Sequence, residues 1–135
     1  MSKVTKELAQ IEFNKWATAK KIKESSRESY KVIEEKIIEA ICEGILILND
    51  KLEWEHTLEF PIEGEGIKST SILTYKLRIA TGVLNVAFKG IKPDESDERL
   101  VAMIAALTGE PKGIIKALDT STDYSIASCI ATYFF

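Results

Sequence analysis

From residue 3 to residue 43 the chain contains neither glycine nor proline and is rich in Lys, Glu, Ala and Ile. With both helix-breaking residue types missing, the start of the chain is confined to long helix. Between Ile22 and Ile41 the apolar positions Ile22, Tyr30, Ile33, Ile37 and Ile41 recur mostly at three- and four-residue steps, which is one face of an amphipathic helix. Val4, Leu8 and Ile11, followed by Trp16 and Ala19, form an earlier stripe in similar phase. Ser25-Ser26 weakens the join and suits the end of one helix and the cap of the next, so one bent helix or a pair is expected. Gly44 then suits a helix stop, because a left-handed residue there carries no Cβ penalty.

Past Gly44 the period changes from helical to alternating. Leu52, Trp54, His56, Leu58 and Phe60 share one parity while Glu53, Glu55, Thr57 and Glu59 take the other, the pattern of a strand with one wet face. Pro61 to Gly66 reads as a loop. From Ser71 to Ile79 a second alternation sets Leu73, Tyr75, Leu77 and Ile79 opposite Thr74, Lys76 and Arg78, which predicts an antiparallel hairpin. Ile45-Leu46-Ile47-Leu48, before Asn49-Asp50, fits either a third strand or the last turn of the preceding helix, and the strand is preferred.

The remainder is helical in pattern. A short helix is expected around Val83 to Lys89, and a second one capped by Asp94 and running to about Thr108. A third short helix should open on Pro111, and a last one, roughly Thr122 to Phe134, should bury Ala127, Ile130, Ala131 and Phe134. Helices, hairpin, then four short helices is an α+β architecture, divided here into a helical extension over 1–44 and a hairpin-plus-helices unit over 45–135. A chain of 135 residues, 45% hydrophobic and 29% charged, is long enough to bury a core without metals or disulfides.

Little in the sequence carries chemistry. The balance of 18 basic and 21 acidic residues offers no excess positive field, and Lys15, Lys20, Lys21 and Lys23 near Trp16 read as a solvated helix face, so nucleic acid is not expected as a partner. The single His56 lies on the apolar parity of a strand and reads as packed. Cys42 and Cys129 are far apart and sit among apolar residues as small hydrophobes. The acidic run Asp94-Glu95-Ser96-Asp97 lacks the glycine and closing Glu of a calcium hand. Glutamates 53, 55, 59, 63 and 65 form an acidic edge, either a solvated face or a docking patch for a basic partner. No enzyme, no cofactor and no metal are expected. The first residues show no secretory signal, and the longest apolar candidate, Ile45 to Leu48, is far short of the ~18 residues of a membrane span; a cytosolic protein without membrane partners is expected.

Leu58-Glu59-Phe60-Pro61-Ile62, Leu77-Arg78, Ile104-Ala105-Ala106-Leu107-Thr108-Gly109, Ala117-Leu118-Asp119 and Asp123-Tyr124 occur in an order that resembles the small tail assembly chaperones of contractile-tailed bacteriophages. The resemblance covers about residues 52–135. It departs from the family after Arg78, where Ile79-Ala80-Thr81 stands in place of a Pro and an Asp, and residues 1–50 have no counterpart in it.

The resemblance implies a non-enzymatic protein of the host bacterial cytoplasm. Such a protein binds the tape measure protein, and often the tail tube protein, keeps them soluble for tail assembly, and is not in the mature virion. It also implies a second, longer product by ribosomal frameshifting, for which Tyr133-Phe134-Phe135 offers a codon run. A holdase needs apolar surface for its client. The partner-binding candidates are Ile33, Ile37 and Ile41 of the helical stripe, with Tyr124, Ile130, Tyr133, Phe134 and Phe135 near the end, and a homo-oligomer would draw on the same residues. The alternative is a structural subunit of the phage tail or a related contractile injection device, which would stay in the particle.

Overall fold

The computed structural model describes residues 4–64 and 67–134, with the backbone alone at Gly64, Ile67, Lys68 and Phe134. In chain order these form α1 (Lys6–Ala19), α2 (Glu24–Ser29), α3 (Lys31–Cys42), β1 (Leu46–Leu48), β2 (Trp54–Gly64), β3 (Ile67–Tyr75), α4 (Thr81–Ala87), α5 (Ser96–Thr108), α6 (Lys112–Lys116) and α7 (Asp123–Phe134). The fold is α+β, as the periodicity predicts, and Leu46–Leu48 is a third strand, in a sheet of order β1-β2-β3, antiparallel throughout.

The register decides what each face of the sheet does. Leu46 pairs with His56, Leu48 with Trp54, Trp54 with Tyr75 and His56 with Leu73, and these side chains face the helices. Ile47, Glu55 and Thr74 form a row on the opposite face, next to the pair Thr57 and Ile72. Helices α3, α5 and α7 pack on the inner face, and among the described residues Ile47, Thr57 and Ile72 of the outer face stay exposed. One hydrophobic cluster runs from Ala9 of α1 to Tyr133 of α7, so residues 1–44 and 45–135 share a core and do not form two.

The N-terminal segment is three helices, not one bent helix or a pair. The break falls at Lys20–Lys23, where Lys21 takes a left-handed φ of 60°, and Ser25-Ser26 lie inside α2. The phase of α1 also differs from expectation: Ala9, Phe13, Trp16 and Ala17 are buried, while Val4, Leu8 and Ile11 stay exposed. Leu8 and Ala9 differ by one residue, about 100° around a helix, and the aromatic pair Phe13 and Trp16 decides which side goes in. Gly44 does follow α3 with φ 78°.

Elsewhere the boundaries shift for identifiable reasons. Glu95, not Asp94, is the N-cap of α5, with no side-chain cap bond; its carboxylate instead accepts the main-chain N–H of Lys92 at 2.9 Å. β3 begins at Ile67 rather than Ser71 and ends at Tyr75, where Lys76 N–H leaves the sheet to donate to the Leu107 carbonyl at 3.0 Å. The expected loop at Pro61 is instead part of β2, for a reason that lies in α7.

Candidate functional site

Between the pairs Thr57–Ile72 and Ile62–Thr70, residues 58–61 of β2 stand against the single residue 71 of β3. Such a bulge throws main-chain donors off the ladder, and donors with no partner destabilise a fold. Here two of them share one acceptor. The Asp123 carboxylate, fully buried at the start of α7, accepts Glu59 N–H at 2.8 Å with one oxygen and Phe60 N–H at 3.1 Å with the other. Pro61 has no N–H to satisfy, so a residue that breaks most strands fits here without loss. The product of this clasp is a protrusion: Phe60 stands 59% exposed, and Pro61 beside it is exposed as well.

Behind the clasp lie His56 and Tyr75, paired in the register with Leu73 and Trp54 respectively. The Tyr75 hydroxyl is 2.9 Å from His56 Nδ1, and His56 Nε2 is 3.6 Å from an Asp123 oxygen, too long for a hydrogen bond. Burial drives the imidazole pKa down to about 4, against the smaller upward pull of the Asp123 carboxylate, so the ring is neutral at pH 7. Burial, with the Asp123 charge second, also holds the Tyr75 hydroxyl well above its ordinary value, so it keeps its proton. With Tyr75 O–H donating to Nδ1, the ring proton sits on Nε2, where it faces Asp123 as a buried donor without a hydrogen bond. All three side chains are at most 1% exposed, and of the three Asp123 is the one that holds main chain. Among the described residues no group of three or more His, Cys, Asp or Glu could hold a metal ion.

A second network fixes the N-terminal helices. Arg27 donates to both Glu34 oxygens, at 3.0 and 3.3 Å, and to Asn14 at 2.8 Å, while the Tyr133 hydroxyl donates to Glu34 at 2.8 Å. Burial alone would raise the Glu34 carboxyl; hydrogen bonds from Arg27 and Tyr133, then the Arg27 charge, outweigh it and leave it below its ordinary value. The Tyr133 ring meets Phe13 edge-on at 5.3 Å and lies 6.0 Å from Trp16, which in turn lies 5.8 Å from Trp54.

These contacts relocate the residues expected to bind a partner. Ile37, Ile41, Ile130 and Tyr133 are core, at most 4% exposed, and Ile33 and Tyr124 are half-buried against that core. All six are mostly covered by packing, and of them Ile37, Ile41 and Tyr133 still line grooves, Ile41 in the groove beside β1. The Phe134 side chain and Phe135 lie outside the described residues, as does Glu65. Among the described residues the exposed apolar side chains include Val83 and Val86 on α4, Tyr30 and Val32 at the start of α3, and two areas nearer the sheet. Val4 and Leu8 line a groove of about 330 Å³ with Leu46, Ile47 and Leu48 along the free edge of β1, and Ile11 extends that stripe. Phe60, Ile72 and Ile47 lie on the hairpin and the open face of the sheet, each more than half exposed.

His56 is packed, as the sequence predicts, but Asp123 and Tyr75 were not recognisable as its companions. The one pointer to Asp123 was its place in the Asp-Tyr pair of the phage chaperone resemblance. Cys42 and Cys129 are both free thiols packed against the core, and burial raises the Cys129 pKa. No helix among the described residues is long and apolar enough to cross a membrane. No family model, curated protein or solved structure matches this chain.

Proposed function

We propose that this chain is a non-catalytic phage tail assembly chaperone, which binds the tape measure protein and keeps it soluble until the tail tube grows around it. The observation that carries this reading is the clasp. Two of the motifs behind the resemblance, Leu58 to Ile62 and Asp123-Tyr124, are distant in sequence yet joined by the bonds from Glu59 and Phe60 to Asp123. What they build together is an exposed aromatic ring on a rigid support. A third motif joins the same body, since the Leu107 carbonyl of the Leu-Thr-Gly helix end accepts Lys76 N–H at the exit of the hairpin. Exposed apolar side chains on a well-packed frame favour a binding protein, and a holdase acts through such surface by mass action.

The expected site is the host bacterial cytoplasm. Its partners are the tape measure protein and, on the same apolar surfaces, the tail tube protein or a second copy of this chain. The alternative, a permanent tail subunit, uses similar surfaces but predicts a different inventory of the finished particle. Quantitative proteomics of purified particles separates the two: a chaperone is missing, a subunit is present in fixed stoichiometry.

A further inference from the structure

We propose that the free edge of β1 is where a second copy of this chain docks, by antiparallel pairing of the two β1 strands about a two-fold axis through Ile47. The proposal does not depend on the chaperone reading, because no client enters the pairing. Two main-chain bonds fix which way β1 faces: Thr57 N–H donates to the Ile45 carbonyl at 2.9 Å, and Asn49 N–H to the Glu53 carbonyl at 3.0 Å. Ile47, between them, therefore directs its main chain at β2, while Leu46 and Leu48 direct theirs away from it. Among the described residues no helix, turn or loop supplies a main-chain partner to these outward groups, and both residues line the groove between β1 and α1. An unpaired edge is a template for another strand, and natural edges are often blunted by charge, proline or a bulge; Leu46-Ile47-Leu48 carries none of these.

The register points to a copy as the occupant. A two-fold through Ile47 sets Leu46 against the copy's Leu48 and Leu48 against the copy's Leu46, so the outward N–H and C=O groups of both strands satisfy one another. That self-complementarity is what an isologous contact requires. Ile47 then meets its own counterpart in a non-hydrogen-bonded pair, where side chains come closest, and an isoleucine that is 56% exposed becomes covered. The same register carried past the strand ends sets Glu43 against the copy's Lys51 on both sides of the axis, and both residues are exposed, so opposite charges face each other. A two-fold perpendicular to the sheet also keeps the helices of both copies on one side. There α1, whose Trp16 packs near Trp54 of the inner face, turns its exposed Leu8 and Ile11 toward the same stripe of the copy. One symmetry operation thus covers both the strand edge and the α1 stripe.

The test uses the full chain at about 1 to 100 μM, read by sedimentation velocity. The expected result is a reversible monomer–dimer equilibrium in that range, weakened on the order of tenfold or more by Ile47→Lys, which sets like charges face to face. Glu43→Lys should weaken the dimer and E43K/K51E should restore it. Ile47→Cys, in a C42S/C129S background, should form an intermolecular disulfide on mild oxidation, since Cα atoms in such a pair lie about 4.5 Å apart, whereas Ile72→Cys, similarly exposed on β3, should not. Circular dichroism confirms that each variant keeps the fold. A monomer throughout the range, a dimer untouched by Ile47→Lys, a double variant no tighter than Glu43→Lys, or oxidation at position 72 as fast as at 47 overturns the proposal and leaves the chaperone reading standing.

Discussion

Asp123→Asn probes the clasp with almost no change of shape. In the native protein its two oxygens each accept a main-chain donor, at 2.8 and 3.1 Å, inside a site where the carboxylate is fully buried. The amide turns one acceptor into a donor, so one of Glu59 N–H and Phe60 N–H faces another N–H, and the surviving bond loses its charge assistance. An unsatisfied buried donor costs about 1–3 kcal/mol and a bond to a charged acceptor exceeds a neutral one by roughly 1 kcal/mol, so a loss of about 2–3 kcal/mol is expected. At this chain length each kcal/mol moves the midpoint by roughly 3–5 °C, giving a drop of about 6–15 °C. Urea and thermal unfolding followed by circular dichroism measure the loss, and amide hydrogen exchange at residues 59 and 60 locates it. Glu63→Gln, on the exposed side of the same strand, should stay within about 0.5 kcal/mol. If Asp123→Asn is as stable as that control and both amides exchange as slowly as in the native chain, the clasp does not hold the bulge.

Four further outcomes follow from the packing. The His56 pKa lies at about 4 in the fold against an ordinary 6.5, so between those values the unfolded chain binds a proton that the fold does not; about 3 kcal/mol of stability, fully present above pH 6.5, is lost as pH falls toward 4. Urea midpoints from pH 4.5 to 7.5 should show that loss, and His56→Gln should flatten it; an equally steep acid loss in the variant contradicts the assignment. In α1, Phe13→Ala should cost about 3–5 kcal/mol while Ile11→Lys should be near neutral, and the reverse order in chemical denaturation would mean that the phase of α1 is wrong. Tyr133→Phe deletes the hydroxyl that donates to Glu34 but keeps the ring, so unfolding measurements should show a loss of about 1–3 kcal/mol, against none if that bond contributes nothing. Gly109→Ala meets nothing closer than Lys76 Nζ at 3.8 Å, an ordinary contact, so only the left-handed φ of 72° opposes it and roughly 1 kcal/mol should be lost.

What was legible in the sequence was whatever repeats with a local period. The alternation over Trp54 to Leu58 and the stripe Ile33, Ile37, Ile41 each report one face of one element, and the α+β class follows from their order. What local period cannot report is the partner each face meets. Leu8 and Ile11 repeat as well as Phe13 and Trp16 do, and only the aromatic cluster with Trp54 and Tyr133 selects the second pair for the core. Tyr133 reads as an exposed terminal aromatic until α1 is seen folded against α7. The bulge shows the same limit more sharply: Pro61 signals a loop locally, but a carboxylate more than sixty positions away supplies what the strand needs there.

The most direct measurement of the central claim is co-expression with the long helical tape measure protein, followed by affinity capture of this chain from the soluble fraction. The chaperone account predicts that the tape measure protein is insoluble alone, is recovered in a stable complex with the native chain, and is lost from that complex when folded Phe60→Ser replaces it. A tape measure protein that is soluble alone and never co-purifies, with this chain found in fixed stoichiometry in finished particles, contradicts it.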